Sequence, residues 1–269
     1  MQTTTYLSRP EGRIAYDIAG AGPLVVLVPG MGELRSAYRF LAPALVAAGY
    51  RVASTDLRGH GDSDTTFASY GDVDTASDVS ALIEELGGPA VIVGNSMGAG
   101  AGVLVAAEHP ELVSGLVLVG PWVRMGAVGA LQLALFRVMM ARPWVATAWK
   151  LYMPKLYAGR HPDDFEEYRD RLVANLHRPG YAKAFSLTTR TDHAPVEAHL
   201  ADVTQPSMII MGELDPDWSD PALEAAWIGE KVRGEVVMVP EAGHYPQSQQ
   251  PEQTAEAVVR FLASVHADA

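Results

Sequence analysis

An α/β fold with a central, mostly parallel sheet and a helical insertion is what this sequence predicts, and three features carry the prediction. From Leu24 onward, short β-branched runs alternate with amphipathic segments. Runs such as Val25 to Val28 and Val91 to Val93 are continuously apolar, as strands buried on both faces are. Between Pro121 and Gln205 that rhythm stops, and it then resumes.

Taken in order, Thr3 to Leu7 and Arg13 to Ile18, separated by Pro10, Glu11 and Gly12, predict an antiparallel hairpin at the sheet's edge. LVVLV at 24–28 is the third strand, Arg35 to Ala48 a helix, YRVAST at 50–55 the fourth strand, Val73 to Leu86 a helix, and PAVIVG at 89–94 the fifth strand. GLVLVG at 115–120, SMIIM at 207–211 and EVVMVP at 235–240 bring the sheet to eight strands, each followed by a loop rich in Gly, Pro or Asp. A last helix, Pro251 to Val265, packs back on the sheet. Residues 1–120 and 206–269 are thus expected to form the core, and 121–205 an insertion after the sixth strand. Helical patterns in the insertion carry Met139, Met140, Trp144, Trp149, Tyr152, Phe165 and Phe185, with Pro143, Pro154, Pro162 and Pro179 as helix boundaries.

Composition narrows the function. The chain is 48% apolar and 19% charged, an ordinary globular balance. Its net charge of −12, with no basic cluster, disfavours nucleic acid and anionic membranes as partners. Having no cysteine excludes disulfides, thiolate metal sites and a cysteine nucleophile. The N-terminal MQTTTYLSRPEGR lacks the pattern of a secretory signal, so a cytoplasmic protein is expected. The longest apolar stretch, Ala127 to Ala141, is broken by Gln132 and Arg137 and is too short to cross a bilayer; it reads as a lid or core helix. The expected partner is a small-molecule substrate.

Gly94-Asn95-Ser96-Met97-Gly98 lies where a strand ends and a Gly/Ala-rich helix begins, the setting of a G-x-S-x-G nucleophile elbow. Such a turn strains the serine backbone and leaves no room for side chains at 94 and 98. A serine hydroxyl needs a base to take its proton. His244, in Pro240-Glu241-Ala242-Gly243-His244-Tyr245 after the last strand, is placed to do so. His60, in the Arg58-Gly59-His60-Gly61 turn, and His109, before Pro110, read as scaffold. His161, His177, His193 and His199 lack metal-site spacing and read as surface or cap residues. The imidazole needs a carboxylate partner; Asp215 follows the SMIIM strand and completes the order Ser, Asp, His, with Glu213 and Asp217 as neighbouring rivals. The amides of Met97 and of Met31, in Pro29-Gly30-Met31-Gly32, are the expected oxyanion donors.

Together, the PGMG loop, Asp56-Leu57-Arg58-Gly59-His60-Gly61-Asp62-Ser63, GNSMG, the GELD loop and Gly243-His244 resemble the α/β-hydrolase superfamily over essentially the whole chain. The resemblance implies a helical cap at 121–205. It also favours Asp215, because the position after the sixth strand where some members place their acid is Gly120 here. Pro29 departs from the family's usual histidine. Serine at the elbow disfavours the epoxide hydrolases and dehalogenases, which use aspartate there. The expected reaction is hydrolysis of a carboxylic ester of a bulky apolar small molecule, without metal or organic cofactor. The alternatives are a carbon–carbon bond hydrolase of ring-cleavage products, a cofactor-free peroxidase and a non-enzymatic receptor. GNSMG is frequent in the carbon–carbon hydrolases, where the asparagine helps the substrate, so Asn95 is a candidate contact; Tyr245 stands where those enzymes have tryptophan. By position, Trp122 and Tyr245 are candidate pocket residues. Glu33 and Arg35 read as solvated loop charges.

Overall fold

A computed structural model describes residues 4–125 and 130–267. The opening hairpin is β1 (Thr5–Arg9) with β2 (Gly12–Ala19); Thr3, predicted as its first residue, lies outside the described residues. Then follow β3 (Leu24–Val28), α1 (Leu41–Ala47), β4 (Arg51–Thr55), α2 (Asp72–Leu86), β5 (Ala90–Asn95), α3 (Met97–Glu108) and β6 (Val113–Val119). Between β6 and the next strand come α4 (Ala130–Met139), α5 (Val145–Leu156), α6 (Phe165–Leu176), α7 (Tyr181–Thr188) and α8 (Ala194–His199). The chain closes with β7 (Ser207–Gly212), α9 (Pro221–Val232), β8 (Glu235–Val239), α10 (Pro246–Gln249) and α11 (Pro251–Ala267).

All eight strands join one sheet in the order β1-β2-β4-β3-β5-β6-β7-β8. Only the pairs made by β2 are antiparallel. Alternate residues of each central strand face opposite layers. Val26, Val28, Ile92, Leu116 and Leu118 pack against α2 and α3, whereas Val25, Leu27, Val91, Val93 and Val117 pack against α1 and α11. The strand order reverses at β3, which β4 and β5 flank. The carboxyl ends of β3 and β5 therefore open a crevice at the topological switch point, where α/β sheets bind ligands.

Two local expectations change. Arg35 to Ala48 is not one helix but a 3₁₀ turn at Arg35–Tyr38 followed by α1, which places Pro43 in the first turn of α1, where its missing N–H costs least. Pro154 is not a boundary but lies inside α5. There it forfeits one hydrogen bond near the helix end, while Trp149, Met153 and Leu156 hold the helix by burial. Of the apolar stretch 127–141, residues 127–129 lie outside the described residues, and α4 takes most of the remainder. No helix among the described residues is long and apolar enough to cross a membrane.

Candidate active site

The elbow is set by its glycines. Ser96 sits between β5 and α3 at φ 54, a left-handed conformation that non-glycine residues rarely hold. A Cβ on Gly94 would strike the Gly98 backbone, and one on Gly98 would lie 2.7 Å from the Pro29 carbonyl. Only bare backbone at both positions lets the turn close and α3 meet the β3 loop. Gly30 is equally constrained, because its Cβ would lie 2.9 Å from that of Ser96.

The loops after β7 and β8 bring one histidine and two carboxylates together. His244 is 3% exposed, and its Nδ1–H donates to Asp215 Oδ2 at 2.9 Å, which leaves Nε2 as the acceptor nitrogen. Asp217 Oδ2 lies 3.3 Å from the same Nδ1, and the Asp217 amide donates to Asp215 Oδ1 at 3.1 Å. The rival is thus a second carboxylate on one imidazole. Burial opposes a charge on His244, but Asp215 and Asp217 outweigh it and raise the group to about 9. Burial raises Asp217 to about 6, with His244 pulling it down and Asp215 pushing it up. The ligating atoms of Asp215, Asp217 and His244 all lie within 4.8 Å of one another, a spacing that a cation could also use.

The histidine loop is held from three sides. The His244 amide donates to the Leu156 carbonyl at 2.8 Å, at the end of α5. Gln249 Oε1 accepts the amides of Gly243 and Tyr245 at 2.9 and 3.2 Å. Asn95 Nδ2 donates to the carbonyls of Val119 and His244 at 2.9 and 3.2 Å. Asn95 is fully buried and is not among the residues lining the cavity; its Nδ2 braces the elbow to the histidine loop, while its Oδ1 has no hydrogen-bond partner among the described residues. Gly120, at φ 47, leaves no space for an acid after β6: a Cβ there would lie 2.7 Å from the His244 carbonyl.

Ser96, His244, Met31, Met97, Trp122 and Tyr245 all line one cavity of about 700 Å³. The Met31 amide has no hydrogen-bond partner among the described residues, and the Met97 amide, first in α3, has none within its own helix. The Met31 loop is clamped by its neighbour Gly32. The Gly32 amide donates to His60 Nε2 at 3.0 Å, and its carbonyl accepts the Trp149 indole N–H at 3.2 Å. His60 in turn donates from Nδ1 to the Arg58 carbonyl at 2.8 Å, and burial lowers it to about 4, so the neutral ring performs both tasks. It serves here as the loop's support, where the sequence offers Pro29 in place of a histidine.

Of the groups read as solvated loop charges, Glu33 is buried and Arg35 part-buried, and His193, read as a surface or cap residue, is buried in the helical insertion. Glu33 is fully buried, accepts from the Tyr168 hydroxyl at 2.5 Å, and is raised to about 7 by burial against the pull of Tyr168 and Arg39. Arg35 bonds Asp17 and Asp62 at 2.8 and 2.9 Å and also pairs with the buried Asp56. His193, 7% exposed, bonds Asp72 at 2.6 Å and lines the cavity.

Residues 25–257 match the model of the Alpha/beta hydrolase family. A 2-(acetamidomethylene)succinate hydrolase of Mesorhizobium japonicum is 29% identical, over 93% of this chain and 92% of that protein. A 2-hydroxy-6-oxo-6-phenylhexa-2,4-dienoate hydrolase of Comamonas testosteroni is 27% identical, over 93% of this chain and 91% of that protein. In fold, the chain resembles an esterase from Exiguobacterium antarcticum with a TM-score of 0.85 at 20% identity, covering 97% of this chain and all of that one.

Proposed function

Because the chain belongs to the alpha/beta hydrolase family, we propose that it is a serine hydrolase that cleaves a carboxylic ester through an acyl-enzyme on Ser96. One observation carries the reading: a serine at φ 54 on the elbow shares a cavity with a histidine whose Nδ1 is tied to a buried aspartate. In its neutral form His244 takes the Ser96 proton as the hydroxyl attacks the ester carbonyl, and Asp215 stabilises the resulting imidazolium. The Met31 and Met97 amides receive the oxyanion, each such donor being worth about a hundredfold or more in rate. His244 then protonates the departing alcohol, and water, activated the same way, releases the acid.

The helices at 121–205 act as the cap. Phe136, Met139, Trp149 and Leu156 from them line the cavity alongside Met31 and Trp122, which suits a bulky apolar acyl or alcohol group. Carbon–carbon bond cleavage ranks second: the Comamonas testosteroni hydrolase supports it at 27% identity, but Asn95, its main sequence signal, is not among the cavity-lining residues, and its Nδ2 bonds backbone carbonyls.

Hydrolysis of p-nitrophenyl esters of increasing acyl length by wild type and Ser96→Ala tests the proposal. Turnover confined to wild type is expected, with chain-length preference reporting pocket size. No turnover by either protein sinks the ester reading.

A further inference from the structure

Residues 30–33 form the turn that carries the Met31 amide. The Glu33 amide donates to the Gly30 carbonyl at 3.2 Å, and Gly32 holds φ 78 in the third position, as a type II turn requires. Such a turn uses only its fourth N–H, so where the Met31 N–H points is decided by whatever holds the turn from outside. His60 holds one side, through the Gly32 amide. The helical insertion holds the other, at three consecutive residues. The Gly32 carbonyl accepts the indole N–H of Trp149 in α5 at 3.2 Å, and Glu33 Oε2 accepts the hydroxyl of Tyr168 in α6 at 2.5 Å. That hydroxyl in turn accepts the Leu34 amide at 3.5 Å.

Glu33 is the unexpected member of this set. It is fully buried, where desolvation opposes its charge, and its Oε1 has no hydrogen-bond partner among the described residues. It is not among the residues lining the cavity, so ester cleavage at Ser96 gives it no direct task. Its partner Tyr168 is rigidly seated. The ring is fully buried under the Arg39 guanidinium, 4.4 Å from the ring centre, and Arg39 bonds both carboxylate oxygens of Asp164, the residue before α6, at 2.6 Å. A hydroxyl fixed on α6 therefore meets a carboxylate two residues from Met31. When Glu33 is ionised that bond is charge-assisted, roughly twice as strong as one between neutral groups.

We propose that Glu33 is a positioning residue for the oxyanion hole: by holding Tyr168 it fixes the turn that presents the Met31 amide, and so makes the donor's place depend on the seating of α6. The proposal rests on the ester reading, because the donor matters only if an oxyanion forms at Ser96.

The test measures hydrolysis of p-nitrophenyl butyrate and the rate at which a fluorophosphonate ester labels Ser96. Wild type is compared with Tyr168→Phe, Glu33→Met, Glu33→Gln and the double variant Glu33→Met/Tyr168→Phe. Rates are compared at each protein's own pH maximum, because Glu33 also raises His244. Tyr168→Phe keeps the ring beneath Arg39, and with it the packing of α6. It is expected to lower kcat and the labelling rate by about tenfold or more while KM stays within about twofold. Glu33→Met should match it, and the double variant should fall no further than either single change, because all three break one contact. Glu33→Gln, which keeps an acceptor for the hydroxyl, should stay within about threefold of wild type. Variants that melt earlier yet keep kcat and labelling rate below their melting temperature would make Glu33 a structural residue only and overturn the proposal, as would additive losses in the double variant. A wild type that is labelled on Ser96 without turning over the ester sinks the ester reading and leaves the labelling rates to decide the role of Glu33. A wild type that does neither overturns both.

Discussion

Replacing His60 with alanine breaks two buried hydrogen bonds behind the oxyanion loop. The ring is 3% exposed, joins the Arg58 carbonyl to the Gly32 amide, and stands edge-on to Phe185 at 5.9 Å. Without it, one N–H and one carbonyl lose their partners, at about 1–3 kcal/mol each. A loss of about 3–5 kcal/mol follows once the vacated ring space is included. At roughly 2–4 °C per kcal/mol for a chain of this size, Tm should drop by roughly 6–20 °C. Because Gly32 adjoins Met31, kcat should also fall, by about tenfold or more. His60→Gln, which keeps an acceptor for Gly32, should lose less on both counts. The same ring confers acid sensitivity. Burial lowers it from 6.5 to about 4, so the unfolded chain binds its proton first; its contribution is complete above pH 6.5 and is lost as pH falls through about 4. The full amount is about 3 kcal/mol, and His60→Gln should remove it. Calorimetric melts from pH 7 to 4 with parallel ester kinetics provide the check. A His60→Ala protein that melts within about 2 °C of wild type and keeps its kcat would refute the role assigned to the ring.

Three further outcomes are expected. With His244 at about 9, only a minor fraction of the base is neutral at pH 7, so kcat/KM should climb with pH through about 9. Asp217→Asn, which removes one of the two carboxylates, should move that limb to lower pH; a limb near 6.5 in both proteins contradicts the paired-carboxylate geometry. Gly32→Ala should cost at least tenfold in kcat and lower Tm, because Gly32 holds φ 78 and a Cβ there would lie 2.6 Å from the Trp149 ring and 2.8 Å from Phe185; near-normal values of both would show that the loop has slack. Dialysis against EDTA should leave ester turnover unchanged, whereas loss restored by a divalent cation would assign Asp215, Asp217 and His244 to a metal.

What could be read in the sequence was what local constraint writes there. Strands buried on both faces must be apolar throughout, so β3, β5, β6 and β7 stand out as runs. The elbow is legible because its backbone tolerates only glycine at 94 and 98. Asp215 and His244 stand out as candidates from loop position, the order Ser, Asp, His and the family resemblance, and the structure places them 2.9 Å apart in loops that end strands at the same edge of the sheet. Long-range pairing leaves no such mark. Glu33 and Arg35 look like loop charges until Tyr168, Asp17 and Asp56 surround them. His193 and its partner Asp72 are 121 residues apart. Asn95 precedes the serine in sequence, and nothing there shows that its Nδ2 ties the Val119 and His244 carbonyls together. Pro154 reads as a boundary in the sequence but lies inside α5, because tertiary burial of the helix outweighs a single lost hydrogen bond.

The central claim is that Ser96 becomes acylated, and a fluorophosphonate ester tests it most directly by trapping an activated serine covalently. Intact-mass and peptide mass spectrometry of wild type, Ser96→Ala and His244→Ala after a short exposure would read the result. One adduct per chain on the peptide containing Ser96, absent from Ser96→Ala and slowed in His244→Ala, is the outcome predicted. An unmodified wild-type chain, or an adduct on another residue, would contradict the claim.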